Sequence, residues 1–425
     1  MLRTVYTCII SLLVPVATVR LLWQGTRYRR YLSRIGERFG LVPREETADM
    51  IIHVHAVSVG EVNAVTPLLM AFRARYPQAR LLVTTVTASG ASAIAQRNIP
   101  GTCHRFFPFD VPWSVKAFLD RVHPALVVIV ETEIWPNFYF ECGRRGIPLG
   151  IVNARISPRS FRGYKRVRRL FSETMRHVSV VLAQGTADAE RFMDLGAQAN
   201  RIRTYGNLKF DIDTPHSVVE TGQAIRRRHL GQGPVWIAAS THEGEESILI
   251  DAQLQIEARL PGCRLILAPR HPERVDRVLQ ILSERGLRGI RRSEADRGGD
   301  PGDVLVVDTL GELAVFFAAS DVAFVGGSLV AKGGHNVLEP AALGMPVVSG
   351  PWVHNFSDIV DQLAVAGAIR ICRDREQLAE VIYDYLTDAN LRFSTGQSAR
   401  QVCEQNRGAT GRTVAALERL LQGAV

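Results

Sequence analysis

The sequence contains few of the features that mark a metal protein or a disulfide-bonded secreted protein. Six cysteines are scattered along 425 residues, and none forms a CxxC pair or stands at a metal-ligand spacing. Scattered cysteines are typical of proteins from a reducing compartment. No segment is of low complexity, and the hydrophobic content of 46% with 22% charged residues is that of an ordinary globular protein. The length predicts two or three domains.

Nucleic-acid-binding motifs are also missing, although the chain is basic. The formal net charge of +9 favours an anionic partner, such as nucleic acid, anionic lipid or a phosphorylated substrate. No motif of the common nucleic-acid-binding modules occurs in the sequence. We therefore expect a lipid surface or a phosphorylated substrate, and no nucleic acid.

One uncharged run predicts a membrane anchor in residues 1–25. Residues 4–19 carry no charge, Arg20 interrupts, and Trp23 closes the apolar stretch. This run is shorter than the roughly 20 residues that span a bilayer, but Arg20 can snorkel and Trp23 suits the interface. A cleaved signal peptide and a buried core helix are the alternatives. The arginines that follow predict, by the positive-inside rule, a body on the cytoplasmic side. They are Arg27, Arg29, Arg30, Arg34 and Arg38.

From residue 51 onwards, short apolar runs alternate with segments of helical period. Continuous apolar strands with helices between them predict parallel sheets that are covered on both faces. Residues 206–215, GNLKFDIDTP, break the alternation and are predicted to be a linker. We therefore expect two Rossmann-like α/β domains, 34–210 and 218–425, facing a cleft, with the helical tail in the second. Ligands of such sheets bind beyond the carboxyl ends of the strands. The predicted strands are 51–54, 81–86, 125–130, 147–152, 178–182, 235–238, 265–267, 304–307, 322–325 and 347–348.

Residues 324–351 hold two glycine pairs in a strand–loop–helix–strand pattern. We expect backbone N–H groups of this loop to approach an anion, and a helix that begins at His335 and Asn336 to add its dipole. Glu339 is placed to hold a ribose diol. The alternative is an ordinary glycine-rich turn in a parallel sheet.

Three charged residues of the first domain are candidates for chemistry. Glu61 opens a helix, so it is either a helix N-terminal acid or a general base for an acceptor hydroxyl. The helix dipole predicts a lowered pKa for Glu61. Glu131 ends an apolar strand and is either paired structurally or functional. Lys209 is either a linker lysine or a cation near a leaving phosphate or a substrate carboxylate.

Further candidates follow strands of the second domain, and a basic stretch lies in the first. Arg270 ends a strand, and its planar guanidinium is suited to bind a phosphate through two parallel hydrogen bonds. Gly311 opens a helix whose N–H groups can reach a nucleotide. Residues 151–169 interleave seven basic side chains with Phe161 and Tyr164. This stretch is either a solvated face or a surface for lipid headgroups or a phosphorylated glycolipid, with RNA as a rival partner.

Eight stretches together resemble the bacterial 3-deoxy-D-manno-octulosonic acid (Kdo) transferases of lipopolysaccharide synthesis. In order, they are HAVSVGE, ETEIWPN, NARIS, GNLKFD, STHEGEE, APRHPERV, DTLGEL and GGSLVAKGGHNVLEPAALGMPVVSGP. The resemblance implies a GT-B glycosyltransferase with CMP-Kdo as donor and the lipid A precursor lipid IVA as acceptor. It also implies an inverting reaction without metal or other cofactor, at the inner membrane.

The resemblance also assigns roles to residues. Glu61 would be the general base, and Glu131 and Lys209 would stabilise the transition state. The residues implied to bind CMP are Pro269, Arg270, Leu310, Gly311, Glu312, Asn336, Val337, Leu338 and Glu339. Two other functions remain open: another nucleotide-sugar enzyme, such as a UDP-sugar transferase or a hexosamine epimerase, and a non-catalytic membrane-tethered lipid-binding protein.

Overall fold

The chain forms two compact units, each built on one parallel sheet. The computed structural model describes residues 2–27, 34–44, 50–212, 214–295 and 302–423. The first unit comprises Met1–Asp211 and Asn406–Val425, and the second comprises Ile212–Gln405. Arg29, Arg30 and Asp213, which belong to the predicted basic flank and linker, lie outside the described residues.

The first sheet has seven strands in the order β3-β2-β1-β4-β5-β6-β7. The strands are β1 Ile51–His55, β2 Arg80–Thr85, β3 Thr102–Phe106, β4 Leu126–Val130, β5 Leu149–Ala154, β6 Val180–Ala183 and β7 Ile202–Thr204. The helices of this unit are α1 Leu2–Arg27, α2 Val59–Arg75, α3 Ala88–Arg97, α4 Pro112–Val122, α5 Pro136–Arg144, α6 Pro158–Arg166, α7 Arg168–Met175, α8 Thr186–Asp194 and, from the tail, α18 Ala409–Leu421.

The second sheet also has seven strands, in the order β10-β11-β9-β8-β12-β13-β14. They are β8 Val235–Thr241, β9 Arg264–Pro269, β10 Gly289–Arg291, β11 Val304–Val306, β12 Val322–Val325, β13 Val347–Ser349 and β14 Ile369–Ile371. Its helices are α9 His216–Ile225, α10 Glu245–Arg259, α11 Val275–Glu284, α12 Arg292–Ala295, α13 Leu313–Ala318, α14 Leu338–Ala342, α15 Ser357–Val365, α16 Arg375–Thr387 and α17 Ala389–Asn406.

Apolar clusters on both faces of each sheet explain why the strands read as continuous apolar runs. In β4, Val127 and Ile129 belong to one cluster of the first unit. Leu126, Val128 and Val130 belong to the other, because successive side chains of a strand point to opposite faces. The predicted doubly wound α/β architecture is therefore confirmed in both units.

The C-terminal tail differs from the expected boundary, because its last helix packs on the first sheet. Leu417 and Leu420 of α18 lie in the same apolar cluster as α2 and β4. A Cβ atom on Gly150 of β5 would lie 2.8 Å from Leu417 Cδ2, so glycine permits this close approach. Asp211 accepts hydrogen bonds from the N–H groups of Gly408 and Thr410. The two segments of the first unit are therefore bonded to each other near the points where the chain leaves and re-enters this unit.

The first turns of the N-terminal helix α1 are attached to the first unit by side-chain contacts. The Tyr6 hydroxyl donates to Asp110 at 2.9 Å, and the Thr7 hydroxyl donates to Asn137 at 3.0 Å. The Arg3 guanidinium lies 3.3 Å from the ring centroid of Phe140. The segment Leu2–Trp23 is long and apolar enough to cross a membrane, and it carries exposed apolar side chains along its length.

Candidate functional site

The residues predicted to bind the nucleotide follow neighbouring strands of the second sheet. Pro269 and Arg270 end β9, Leu310 to Glu312 follow β11, and Asn336 to Glu339 follow β12. Strands β11, β9, β8 and β12 are adjacent and parallel, so these loops meet at one edge. The structure therefore places the predicted nucleotide residues where open α/β sheets bind ligands.

The first glycine pair serves an internal anion, which contradicts the expectation that this loop would receive an external one. The fully buried carboxylate of Glu245 accepts backbone N–H bonds from Gly327, Ser328 and Leu329 at 2.7 to 3.0 Å. It also accepts the N–H of His242 at 2.9 Å. A Cβ atom on Gly326 would lie 2.7 Å from the Ser240 carbonyl oxygen, so the loop needs glycine there. The donors of this loop are therefore already used.

The predicted helix start at His335 and Asn336 is also wrong. Gly333 and Gly334 both have positive φ angles, and α14 begins only at Leu338 and has five residues. The Asn336 side chain accepts the Leu338 N–H at 3.1 Å and donates to Glu339 Oε1 at 3.0 Å. So short a helix has little dipole, and the polar groups of Asn336 and Glu339 supply the chemistry of this loop.

The other two nucleotide loops present both side chains and backbone. Arg270 is exposed, and its backbone N–H donates to the Thr241 carbonyl at 2.9 Å, which joins the ends of β8 and β9. Leu310 is 78% exposed, and Gly311 has φ +87°. The Glu312 carboxylate accepts the Thr309 hydroxyl. An exposed cation and an exposed turn are thus available to a ligand at this edge.

One pair of residues at this edge was only half identified from the sequence. His335 was grouped with the donor loop, whereas His242, which follows β8, was missed. Their Nε2 atoms are 2.8 Å apart, and their ring planes differ by 9°. The sequence signal for His242 was its place in the stretch STHEGEE, directly after β8, which is the neighbour of the strand that precedes His335.

In the first unit, Glu61 combines helix capping with the environment of a base. Ser58 caps α2 and accepts the N–H of Glu61. The Glu61 carboxylate accepts the Val57 N–H at 2.8 Å and the Ser58 hydroxyl at 3.2 Å. The helix-terminal role that the sequence offered as an alternative is therefore real, and the carboxylate is almost fully buried.

The expected lowering of the Glu61 pKa is wrong in direction. Burial raises the pKa of Glu61 to about 7; the Val57 N–H opposes this shift, and the charges of Glu131 and Glu133 add to it. Desolvation therefore outweighs the helix terminus. A carboxylate with a pKa near neutrality is well matched to proton abstraction.

Glu131 and Lys209 form an ion pair near Glu61. Lys209 Nζ lies 3.6 Å from Glu131 Oε1. Glu131 has φ +59°, a left-handed conformation that is uncommon for a residue other than glycine and often marks a functional position. Lys209 belongs to the turn Leu208–Phe210, which packs against α2 and is held by the side chains of Asn153 and Asn207. Lys209 is thus a fixed residue of the first unit.

Comparison with known proteins decides the family. Residues 33–212 match the family model described as 3-deoxy-D-manno-octulosonic-acid transferase (kdotransferase). The 3-deoxy-D-manno-octulosonic acid transferase of Haemophilus influenzae is 33% identical over 99% of both chains. That of Bordetella pertussis is 34% identical over 98% of this chain and 99% of its own. The chain belongs to the Kdo transferase family.

Solved structures show that this Kdo transferase has the GT-B fold. Anabaena HepE in complex with UDP aligns with a TM-score of 0.54 at 15% identity, over 88% of this chain and 100% of its own. The UDP-GlcNAc 2-epimerase of Neisseria meningitidis aligns with a TM-score of 0.55 at 11% identity, with the same coverage. At such identities the likeness concerns the fold alone.

Replacing Glu245 tests whether one carboxylate holds the glycine loop of this transferase. In Glu245→Gln, the amide NH2 would face backbone N–H groups, so we expect the second unit to lose on the order of 3 kcal/mol of unfolding free energy. The control is Glu243→Gln, since Glu243 is exposed and its change should cost less than about 0.5 kcal/mol. Denaturant unfolding measures both, and equal stability of the two variants would contradict the role of Glu245.

Proposed function

We propose that this transferase moves Kdo from CMP-Kdo to the lipid A precursor lipid IVA, with inversion, without metal, and with Glu61 as general base. The observation that carries the proposal is the buried Glu61 carboxylate, whose pKa is raised to about 7 beside Glu131 and Glu133. Membership of the Kdo transferase family supports the transferred sugar.

The first unit supplies the base of this reaction in the proposal. An acceptor hydroxyl attacks the anomeric carbon of Kdo as the bond to CMP breaks, and its proton passes to Glu61. A single displacement of this kind inverts the anomeric carbon. Lys209, held 3.6 Å from Glu131, would stabilise the transition state by offsetting negative charge on the substrate.

The second unit holds the leaving nucleotide. Negative charge builds up on the CMP phosphate as the bond breaks, and the exposed guanidinium of Arg270 is placed to offset it. Asn336 and Glu339 offer an amide and a carboxylate to the nucleoside, while Val337 and Leu338 are buried and contribute backbone only. Leu310 to Glu312 complete the edge on the β11 side.

The basic stretch of the first unit fits a phosphorylated, membrane-bound acceptor. Helix α6 has no buried residue, and the basic side chains of α6 and the start of α7 are exposed. Helix α1 packs against α7, so the basic stretch and the apolar helix belong to the same part of the first unit. Cations beside an apolar surface match the headgroup and acyl parts of an anionic glycolipid.

Helix α1 is proposed to lie on the cytoplasmic face of the inner membrane rather than to cross it. Most of the strongly exposed apolar side chains recur every three or four residues and form one stripe, with Leu13 beside it: Val5, Ile9, Leu12, Val16, Val19 and Trp23. Tyr6 and Thr7 hold the first turns on the body, and Arg34 bonds the body again through His104. If α1 crossed the membrane, residues 28–33 would have to lead the chain back across the bilayer to Arg34. They can reach at most about 24 Å, which is less than the roughly 30 Å thickness of the bilayer core.

The general base is tested by Glu61→Gln, which keeps the shape of the side chain and removes the proton acceptor. We expect transfer to fall by at least about 100-fold, while binding of CMP is unchanged because the nucleotide loops lie in the second unit. CMP should also bind more tightly than UDP. Unchanged turnover would remove Glu61 as base, and binding of UDP but not CMP would overturn the proposed donor.

The pH dependence of transfer tests the raised pKa of Glu61. Only the ionised carboxylate accepts a proton, so kcat/KM should fall about tenfold per pH unit below about 7. In Glu133→Gln a neighbouring negative charge is lost, the pKa of Glu61 falls, and the acid limb moves to lower pH. Glu190→Gln is the control, because Glu190 is exposed on α8. A limb that stays in place or moves upward in Glu133→Gln would contradict the account.

The orientation of α1 is tested by cysteine labelling in spheroplasts of cells that produce the protein. In a Cys8→Ser background, Leu2→Cys or Trp23→Cys is exposed to a membrane-impermeant maleimide, with Glu243→Cys as a cytoplasmic control. A helix that lies on the inner face leaves all three unlabelled until the cells are broken. Labelling of either helix position in intact spheroplasts would show that α1 crosses the membrane.

A further inference from the structure

We propose that the paired imidazoles of His242 and His335 form an anion subsite that takes up one proton when the donor binds. The subsite would receive the carboxylate of the donor sugar, which as an ulosonic acid carries one next to its anomeric carbon. This inference rests on the proposed CMP-Kdo donor. The roles that the sequence resemblance implies concern Glu61, Glu131, Lys209 and the CMP loops, and they do not include His242.

The two rings form an in-line hydrogen bond. Their planes differ by 9°, yet their Nε2 atoms are only 2.8 Å apart. Parallel rings stacked face to face would be separated by about 3.5 Å, so these rings lie edge to edge in nearly one plane. An N···N contact of this length contains one N–H donor and one lone pair, and both rings are then neutral.

The pair can gain one proton without losing its hydrogen bond. In the neutral pair one ring presents an Nδ1–H outward, and the other presents an Nδ1 lone pair. Protonating that lone pair gives two outward N–H donors and one positive charge. Within the part of the chain that the structure describes, neither Nδ1 atom has a hydrogen-bond partner. In an in-line pair the two Nδ1–H groups point away from each other, so one of them, together with the net positive charge of the pair, would bind the carboxylate.

The surroundings keep the empty pair neutral and make it responsive to an anion. Burial, together with the smaller effects of His242, Arg270 and His271, lowers the pKa of His335 to about 4. Burial also lowers the pKa of His242; Glu245 opposes this shift, and His271, Lys332 and Arg270 add to it. A bound anion would counter the charges of Arg270 and Lys332, and the pair would then bind a proton at neutral pH.

The backbone around the pair leaves space only for this arrangement. A Cβ atom on Gly327 would lie 2.9 Å from His335 Cδ2 and 3.4 Å from His242 Cδ2, and Gly327 has φ +69°. Glu245 binds the N–H groups of both His242 and Gly327, and so it fixes the two sides of the pair relative to each other. The pair is therefore preorganised, as a binding site requires.

Isothermal titration of the full-length protein, without acceptor, measures the proton directly. Binding of CMP-Kdo at neutral pH is followed in two buffers that differ in ionisation enthalpy, and CMP alone is the second arm. We expect uptake approaching one proton with CMP-Kdo and little with CMP. This measurement uses the unmodified protein, so it does not depend on whether a variant folds.

Variants then assign the proton to the pair. His242→Gln and His335→Gln should abolish proton uptake and weaken CMP-Kdo binding about 10- to 100-fold, with CMP binding unchanged. His216→Gln, at an exposed position of the same unit, is the control. Two results would overturn the subsite: binding of CMP-Kdo to the unmodified protein without proton uptake, or unaltered affinity for CMP-Kdo in both variants. Equal proton uptake with CMP alone would show that the pair responds to the phosphate of the ligand, and it would contradict binding of the sugar carboxylate. If neither CMP nor CMP-Kdo binds the unmodified protein, it is the proposed donor that fails.

Discussion

The donor side of this transferase depends on the burial of one charge, the carboxylate of Glu245. An ionised group in a low-dielectric interior needs hydrogen bonds at every acceptor site. Glu245 obtains four from backbone N–H groups, three of them in the loop after β12 and one at His242. The glycine loop, the imidazole pair and the end of β8 are consequently held in one arrangement. Removing this carboxylate would leave the N–H groups of Gly327, Ser328, Leu329 and His242 without the acceptor that joins the loop after β12 to the end of β8.

Burial has a different effect on Glu61 in the first unit. Glu61 accepts only one backbone N–H and one hydroxyl, so desolvation is incompletely offset and its pKa rises to about 7. Glu61 therefore has fewer hydrogen-bond donors than Glu245 to offset its burial. The tips of the central strands add backbone strain, since Glu131, Asn153 and Ser240 all have φ between +50° and +59°. Such conformations persist only where the surrounding structure fixes them.

The sequence predicted the ten inner strands, because two-sided burial imposes apolar runs such as that of β4, and it predicted which loops would meet, because parallel strands share an edge. It missed the four edge strands β3, β7, β10 and β14, which are only partly buried and therefore carry no continuous apolar run. It could not predict partners far apart in the chain. Nothing near Gly327 indicates that its N–H binds a carboxylate 82 residues away, and nothing in the apolar face of α18 indicates which sheet it covers. The predicted direction of the Glu61 pKa shift was wrong for the same reason, since the start of a helix can be recognised in a sequence and the burial of a side chain cannot. His242 was missed because its partner lies on a neighbouring strand.

The most direct test of the account is the mass of the product formed by the purified protein with CMP-Kdo and lipid IVA. The account predicts that the acceptor gains the mass of one or more Kdo residues, with release of an equal number of CMP molecules. The new linkage should have the anomeric configuration opposite to that of the donor, and a chelator should not change the yield. An unmodified acceptor, or a product that retains the donor configuration, would contradict the central claim that Glu61 drives a single inverting displacement.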